Sequence, residues 1–382
     1  MTGELRMRKI RNIIILILIA GTIWHFYGNT FTKSGAQGVF TEIRSDINGL
    51  KEIPKVTAAV NYINEEVQHL LDKLNEMASD QDKPNQLVPE QPQQNTSSER
   101  QSAAYNVQIG DSRSDVEQQT GSPQRSSLNE YGVDWVAYHK NYRNFIMVAY
   151  NQQNNVSGLY TNQNLLSSIK GISYESSKES VRSMFDEPLE SIRKGFVNYR
   201  LQNKQGYDMF HVNNKYVTIF YDKHEDNTVT AMLIISDELE RQKQSYFGKP
   251  SKELKKGLEY QLYDLTNAAR VSRGLSPLTW QQSARKTARG HSTDMAENNF
   301  FSHTNLDGQS PFDRMREDNI AFRTAGENLA AGQPSSIFAH EGLMNSMGHR
   351  KNILKKDFEN LVIGVAFNDK EQPFYTETFW AD

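Results

Sequence analysis

Three residues in the last third of the chain have the types needed for a shared chemical site. His303 follows Phe-Ser, Glu327 lies in Gly-Glu-Asn, and His349 lies in Gly-His-Arg. Neutral imidazole is the commonest zinc ligand, and a carboxylate can complete or polarise such a site. The spacings are long, however, and match no local metal motif of the HExxH kind. From spacing alone the residues allow two interpretations: one shared site, or three separate polar residues that cap helices and loops.

The other histidines are predicted to have ordinary structural roles. His291 lies on a helix face beside small residues, which favours a satisfied core histidine. We expect His340 to be a solvent-facing helix residue. Three further histidines stand alone in the middle of the chain and are predicted to be structural or surface residues: His139, His211 and His224.

Composition excludes several classes of protein. The 382 residues include 43 Lys and Arg against 46 Asp and Glu, so no net positive field would attract nucleic acid. The absence of cysteine excludes disulfides, thiolate metal sites and a cysteine nucleophile. The length indicates two domains with additional segments.

Helices followed by strands are predicted around the candidate site. An apolar stripe at helical spacing predicts a helix that ends near Gly274 and Pro277. Thr279 with Gln282 is typical of a capping box that begins a second helix. Residues 360–367 and 373–380 are predicted to form a strand pair across a polar turn. The stripe comprises Leu254, Leu258, Leu262, Leu265 and Ala269.

A repeated pattern occupies residues 105–240. Val116 precedes Pro123 by seven residues, and Val181 precedes Pro188 by the same interval, 65 residues further on. Strand-like sequences follow each copy. The pattern predicts a duplicated unit of a short helix and a small antiparallel sheet, without a catalytic constellation, which suits a binding or positioning module. Its predicted strands cover residues 133–137, 144–150, 216–221 and 229–235.

The N-terminal residues 1–35 are predicted to be a basic cytoplasmic tip and a transmembrane helix. Residues 12–32 contain no Asp, Glu, Lys or Arg and would span ~31 Å as a helix. A cleaved signal peptide is the alternative, but bulky residues stand where its cleavage site should lie. A buried core helix would show a polar stripe. The basic cluster before this segment predicts that the rest of the chain lies outside a bacterial cell membrane, in a single-pass topology.

Residues 36–104 are predicted to form a helical stalk and a flexible linker. A heptad pattern within it allows a dimeric coiled coil or an amphipathic helix that packs on its own domain. The following stretch is rich in Pro, Gln, Asn and Ser, which is typical of an exposed linker. The heptad positions are Val56, Val60, Ile63, Val67, Leu70, Leu74 and Met77.

Several sequence runs resemble the CAP superfamily, which includes cysteine-rich secretory proteins, antigen 5 and pathogenesis-related class 1 proteins. The runs are HSTDMAENNFFSHTNLDGQSPFDR, GENLAAG, MNSMGHRKNIL, IGVAF and YTETF, in the order of the family, and the resemblance covers about residues 252–382. The cysteine-free sequence is similar to bacterial members that carry a membrane anchor and a CAP-associated module. The resemblance implies an α+β fold whose C-terminal domain is an α-β-α sandwich with a central antiparallel sheet.

The resemblance also implies a cleft lined by two histidines and two acidic residues. Carried over by motif, His303 and His349 are the paired imidazoles, through which some members bind zinc, and Glu327 is one acid. The second acid would fall near Asn345 and Ser346, where this sequence has no carboxylate. The tetrad is therefore incomplete.

Three functions remain open from the sequence. The first is a cell-envelope protein that binds a small ligand or a metal ion through His303, Glu327, Ser346 and His349. Lipids, sterols, peptides and glycan-related ligands are known for the family. The second is a hydrolase of peptide or cell-wall bonds, with Glu327 as general base on a water held by the two histidines. The third is a structural partner protein that forms a homodimer through the stalk.

Overall fold

The repeated pattern folds into one sheet rather than two. The computed structural model describes residues 107–165, 172–174, 176–185, 187–201 and 206–382. The predicted transmembrane helix, stalk and linker lie outside these residues. No helix within the described residues is long and apolar enough to cross a membrane.

The first repeat is a capped helix followed by four strands. Ser112 caps the helix because its side chain accepts a hydrogen bond from the amide of Asp115. Val116, the apolar residue of the repeat motif, is buried on the sheet. The elements are α1 (Arg113–Thr120), β1 (Arg125–Leu128), β2 (Asp134–Lys140), β3 (Arg143–Tyr150) and β4 (Val156–Thr161).

The second repeat has the same order and includes a separate hairpin. Ser177 caps its helix as Ser112 caps the first, and Val181 is buried in the position of Val116. The elements are α2 (Lys178–Met184), the hairpin strands β5 (Ser191–Lys194) and β6 (Val197–Arg200), and then β7 (Tyr207–Val212), β8 (Lys215–Asp222) and β9 (Thr228–Ser236).

The last strands of the two repeats join them into one seven-stranded antiparallel sheet. Its order is β1-β2-β3-β4-β9-β8-β7, with Gly158 opposite Ile235 at the junction of β4 and β9. The predicted strands are therefore found in each repeat. Pairing the two final strands removes an exposed edge from each half, which explains why the repeats do not form separate sheets.

The C-terminal region contains a four-stranded sheet and five helices after the short helix α3 (Asp237–Gln242). The predicted capping box at Thr279 is wrong, because Thr279 lies in a short strand and a 3₁₀ turn precedes the second long helix. The elements are α4 (Lys252–Ser272), β10 (Thr279–Trp280), α5 (Arg285–Asn298), α6 (Pro311–Glu317), β11 (Thr324–Ala331), α7 (Ser336–Met344), α8 (Met347–Ile353), β12 (Asn360–Phe367) and β13 (Pro373–Ala381).

This second sheet lies between helices on both faces. Its order is β10-β12-β13-β11, antiparallel except where β10 pairs with β12. Ile363 packs with Leu262 of α4, whereas Val362 packs with Ala288 of α5. Successive residues of one strand thus face opposite helix layers. Gly364 allows α5 to approach closely, because a Cβ there would overlap the backbone of Ala288.

The seven-stranded sheet packs against α4 and α7 of the second region. Trp135 and Tyr160 belong to the same buried apolar cluster as Leu265 and Ile337. An ion pair between the partly exposed Arg125 and the buried Asp264 also crosses this boundary. The described residues of the repeats and of the second region therefore belong to one compact unit.

Candidate functional site

Glu327 is the centre of the candidate site, and its carboxylate has a partner on each oxygen. Glu327 lies in the edge strand β11 and is buried. Oε1 is 2.9 Å from Nδ1 of His303, and Oε2 accepts a hydrogen bond of 2.6 Å from Nη2 of Arg314. Such charge-assisted bonds are about twice as strong as neutral ones. The structure therefore brings two of the three predicted residues into direct contact.

Arg314 holds the loop that carries His303 as well as the carboxylate. Its Nη1 donates to the carbonyls of His303 at 2.8 Å and Gln309 at 3.1 Å. Arg314 lies in α6, whose first turn is fixed by a capping box between Ser310 and Asp313. This cap fixes the helix from which the guanidinium reaches both the loop and the carboxylate.

His291 supports the same loop from α5. Its Nε2 lies 2.8 Å from the carbonyl of Ser302 and 3.9 Å from Oε1 of Glu327. Burial lowers the pKa of His291, against the opposing effect of Glu327. A neutral ring with its proton on Nε2 donates to the carbonyl. The expectation of a core histidine is confirmed by this burial, although only Nε2 is satisfied, because the buried Nδ1 has no hydrogen-bond partner among the described residues.

His303 combines a fixed ring with solvent exposure. Because Glu327 holds Nδ1, the opposite nitrogen Nε2 is directed away from the carboxylate, and 52% of the side chain is exposed. A ring oriented in this way presents one nitrogen for a hydrogen bond or for metal coordination.

His349 approaches this ring from α8. Burial lowers the pKa of His349 to about 4, and the nearby His303 adds to the effect. His349 is therefore neutral at pH 7. Ser346, also predicted to line the cleft, occupies the N-cap position of α8, but its side chain makes no capping bond.

A chain of hydrogen-bonded groups without a cationic partner lies next to His349. Asn328 donates to the carbonyl of His349 at 3.1 Å and to Glu377 Oε2 at 2.9 Å. Thr266 of α4 donates to the other oxygen of Glu377 at 2.8 Å. Burial raises the pKa of Glu377 to about 7, although these two hydrogen bonds act in the opposite direction. Glu377 thus supports His349 through Asn328 and does not itself line the cleft.

Asn345, at the position expected for a second acid, contacts the repeated module. Asn345 bonds to residues of the repeated module, so it does not complete a tetrad with Glu327. His340 is also different from the prediction: it is 1% exposed rather than solvent-facing, because α7 packs on β11 and on residues of the module such as Tyr160. Burial lowers its pKa to about 3.

The sequence reasoning missed Arg314, Asn328 and the role of Glu377. Arg314 and Asn328 lie inside the quoted motifs, and Asn328 directly follows Glu327. No local signal in the sequence separates Arg314 from the exposed Arg316 two residues later, because the burial of Arg314 is known only from the structure.

The fit to zinc is partial. His303 and His349 provide two imidazoles, whereas protein zinc sites have three or four protein ligands. Among the described residues no group of three or more His, Asp or Glu side chains is arranged to hold a metal ion. Zinc binding by His303 and His349 stays a prediction, in which a further donor would come from a bound ligand or from water.

Comparisons with known proteins agree with this architecture. Residues 109–246 match the family model described as CAP-associated N-terminal, and residues 263–380 match the cysteine-rich secretory protein family, abbreviated CAP. The chain is 29% identical to the "Uncharacterized membrane protein YlbC" of Bacillus subtilis over 288 residues, covering 71% of this chain and 82% of that protein. It is 42% identical to the "Uncharacterized protein YkwD" of the same organism over 108 residues, 28% of this chain and 42% of that protein.

Two solved structures share the fold over most of the chain. An extracellular protein containing an SCP domain from Bacillus anthracis superposes with a TM-score of 0.60 at 25% identity, covering 79% of this chain and all of that one. A cysteine-rich secretory protein from Staphylococcus aureus superposes with a TM-score of 0.55 at 13% identity, covering 72% of this chain and 91% of that one.

Proposed function

Since residues 263–380 are a CAP domain and residues 109–246 a CAP-associated N-terminal domain, we propose that this protein binds a small cell-envelope ligand in the cleft beside His303. The observation that carries the proposal is the oriented, half-exposed imidazole of His303. Glu327 and Arg314 hold it in place, while Nε2 faces away from them. An oriented polar group at an exposed surface is the arrangement expected of a binding site.

The surroundings of His303 favour a ligand with both polar and apolar parts. Three exposed large apolar side chains lie on the segment that carries it, and we call them the apolar rim: Phe301, Leu306 and Phe312. They are half of the exposed large apolar residues among the described parts of the chain, so their grouping near His303 supports a ligand contact. A lipid or another amphiphilic envelope component would match this combination.

Hydrolysis with Glu327 as general base is less well supported. Both oxygens of Glu327 already accept hydrogen bonds within the protein. A general base must reach the proton that it removes. Glu327 is therefore placed to hold His303 rather than to activate water, and binding is the function that we propose.

We also propose that the chain is held on the outer face of the cell membrane by residues 12–32. The apolar character of that segment supports this, and a relative is described as a membrane protein. The CAP domain would then meet ligands at or near the membrane surface. Dimerisation through the predicted stalk stays a prediction.

Calorimetry on the purified full chain tests the binding proposal. Soluble peptidoglycan fragments, short-chain phospholipid and Zn²⁺ serve as separate probes. We expect at least one probe to bind, with an affinity at least tenfold lower in His303→Gln, because a lost hydrogen bond to an oriented group corresponds to about 1.4 kcal/mol or more.

His211→Gln is the matched control, since His211 is an exposed histidine paired with Asp237 in the module. It should leave the affinity unchanged. Binding that is equal in His303→Gln and wild type would refute the assigned site, and the absence of binding to every probe would refute the ligand classes proposed here.

A further inference from the structure

The segment that carries His349 is attached to the CAP-associated module on both sides of the histidine. We call residues 222–228, from the last residue of β8 to the first residue of β9, the module turn. Oδ1 of Asn345 accepts a hydrogen bond of 2.8 Å from the amide of Lys223, and its Nδ2 donates to the carbonyl of Tyr221 at 2.8 Å. Nε2 of His224 lies 3.2 Å from the carbonyl of Asn345. Asn345 thus joins the beginning of this segment to the module.

Arg350 makes the second attachment, immediately after His349. Its Nη1 donates to Oδ2 of Asp222 at 2.7 Å, and its Nη2 to Oε1 of Glu225 at 3.2 Å. Asp222 and Arg350 are both buried. An ion pair in such surroundings is weakly screened and requires a defined geometry. Arg350 therefore fixes α8 to the module turn.

The contact is close as well as polar. Gly206 of the module has a φ of +88°, which favours glycine, and a side chain there would overlap the amide of Asn345. Asp222 in turn shapes the module turn, since Oδ1 accepts a hydrogen bond of 2.9 Å from the amide of His224. The module surface is thus formed to receive Asn345 and Arg350.

We infer that the module turn positions His349 in the CAP cleft, with Asn345, Asp222 and Arg350 as positioning residues. This rests on the proposed function only in taking His349 as part of the ligand site. It also accounts for the missing acid, because the residue at that place bonds to the module. The contacts of His303 among the described residues come from the CAP domain, whereas the segment of His349 is held by the module as well as by Asn328 of the CAP domain.

Nuclear magnetic resonance of the full chain, labelled with ¹³C at histidine Cε1, tests this inference without any ligand. The signals of His349 and His303 are assigned by their loss in His349→Gln and His303→Gln. Asp222→Asn and Asn345→Ala should each shift or broaden the His349 signal by more than its linewidth. The His303 signal should move less than its linewidth in both variants.

Arg125→Gln is the control, because it breaks another ion pair between the module and the CAP domain without touching residues 345–350. It should leave the signals of His349 and His303 unchanged, as expected for the loss of a contact that joins the two domains elsewhere. Glu225→Gln, which removes only the more exposed partner of Arg350, should give a smaller shift of His349 and keeps the test available if Asp222→Asn does not fold.

An unchanged His349 signal in folded Asn345→Ala and Glu225→Gln would overturn the inference. Equal movement of both histidine signals in Asn345→Ala would also overturn it, since the module would then affect the whole domain. Neither result depends on ligand binding, so the calorimetric test of the proposed function stands separately.

Discussion

Two buried carboxyl groups on paired strands of the four-stranded sheet have opposite surroundings. Glu327 has a guanidinium on one oxygen and an imidazole on the other. The hydrogen-bond partners of Glu377 among the described residues are neutral: the hydroxyl of Thr266 and the amide of Asn328. In the strand register Glu377 lies opposite Asn328, the residue after Glu327, and successive residues of a strand face opposite sides. The sheet therefore separates a charged region around His303 from a neutral region beneath His349.

The difference between the partners of Glu327 and Glu377 indicates the role of each carboxyl group. A buried carboxylate that is paired with cationic groups orients those groups. A buried carboxyl group with neutral partners has a raised pKa and holds neighbouring side chains through hydrogen bonds. Four predictions test this contrast, from the largest expected effect to the smallest.

Arg314→Met should have the largest effect, because it leaves the buried carboxylate of Glu327 without its guanidinium. Removing one partner of a buried ion pair costs about 3–5 kcal/mol of unfolding free energy. Urea unfolding of the full chain measures it. Arg316→Met, in the same helix but exposed, should leave the midpoint unchanged. An Arg314 variant as stable as wild type would show that Glu327 does not depend on this charge.

Glu377→Gln should change how stability depends on pH. The pKa of Glu377 is about 7 in the folded protein against an ordinary value of 4.5, so the folded state holds a proton that the unfolded state has lost. Its contribution is fully present below about pH 4.5 and is lost as the pH rises through about 7, a change of at most about 3 kcal/mol.

In the Gln variant this loss is absent. The stability of Glu377→Gln relative to wild type should therefore increase between pH 5 and pH 8. Other buried carboxyls titrate in both proteins and cancel in the difference. Glu297→Gln, on the exposed face of α5, is the control. A pH-independent difference would mean that the pKa of Glu377 is not raised in the folded protein, which would remove the contrast with Glu327.

Thr266→Val should have an intermediate effect that sharpens the description of the neutral region. The substitution keeps the shape but removes the hydroxyl that donates to Glu377, which leaves a buried oxygen with one donor fewer. The cost should be about 1–2 kcal/mol at pH 8. Chemical unfolding at pH 5 should show a smaller loss, because the protonated carboxyl needs donors less. A loss that grows at pH 5 would contradict this assignment.

Ser310→Ala should have the smallest effect on the charged region. It removes the cap of the helix that carries Arg314, and loss of such a cap costs about 1 kcal/mol. Thermal unfolding should show a correspondingly small decrease of the midpoint. Ser283→Ala, at an exposed serine without a capping role, should show none. A decrease as large as that of Arg314→Met would mean that the helix contributes more than its arginine.

Periodicity predicted part of the elements in the described residues. Strands β2, β3, β8 and β9 of the repeats, the long helix ending near Gly274 and the final strand pair are found where the patterns indicated them. Local signals succeed there because one apolar face per element decides its structure. The capping box at Thr279 was wrong, because pairing of Thr279 with β12 prevails over a local hydrogen-bonding preference.

The sequence by itself determined which residues are available for chemistry: the motifs named His303, Glu327 and His349, and the absence of cysteine excluded any thiol site. Only the tertiary structure decided their roles. Arg314 and Glu327 are 13 residues apart in the chain, Asn328 and Glu377 are 49 apart, and Asp222 and Arg350 are 128 apart. Such long-range contacts, and the side of the sheet on which a carboxyl lies, depend on how the elements pack, which no local pattern specifies.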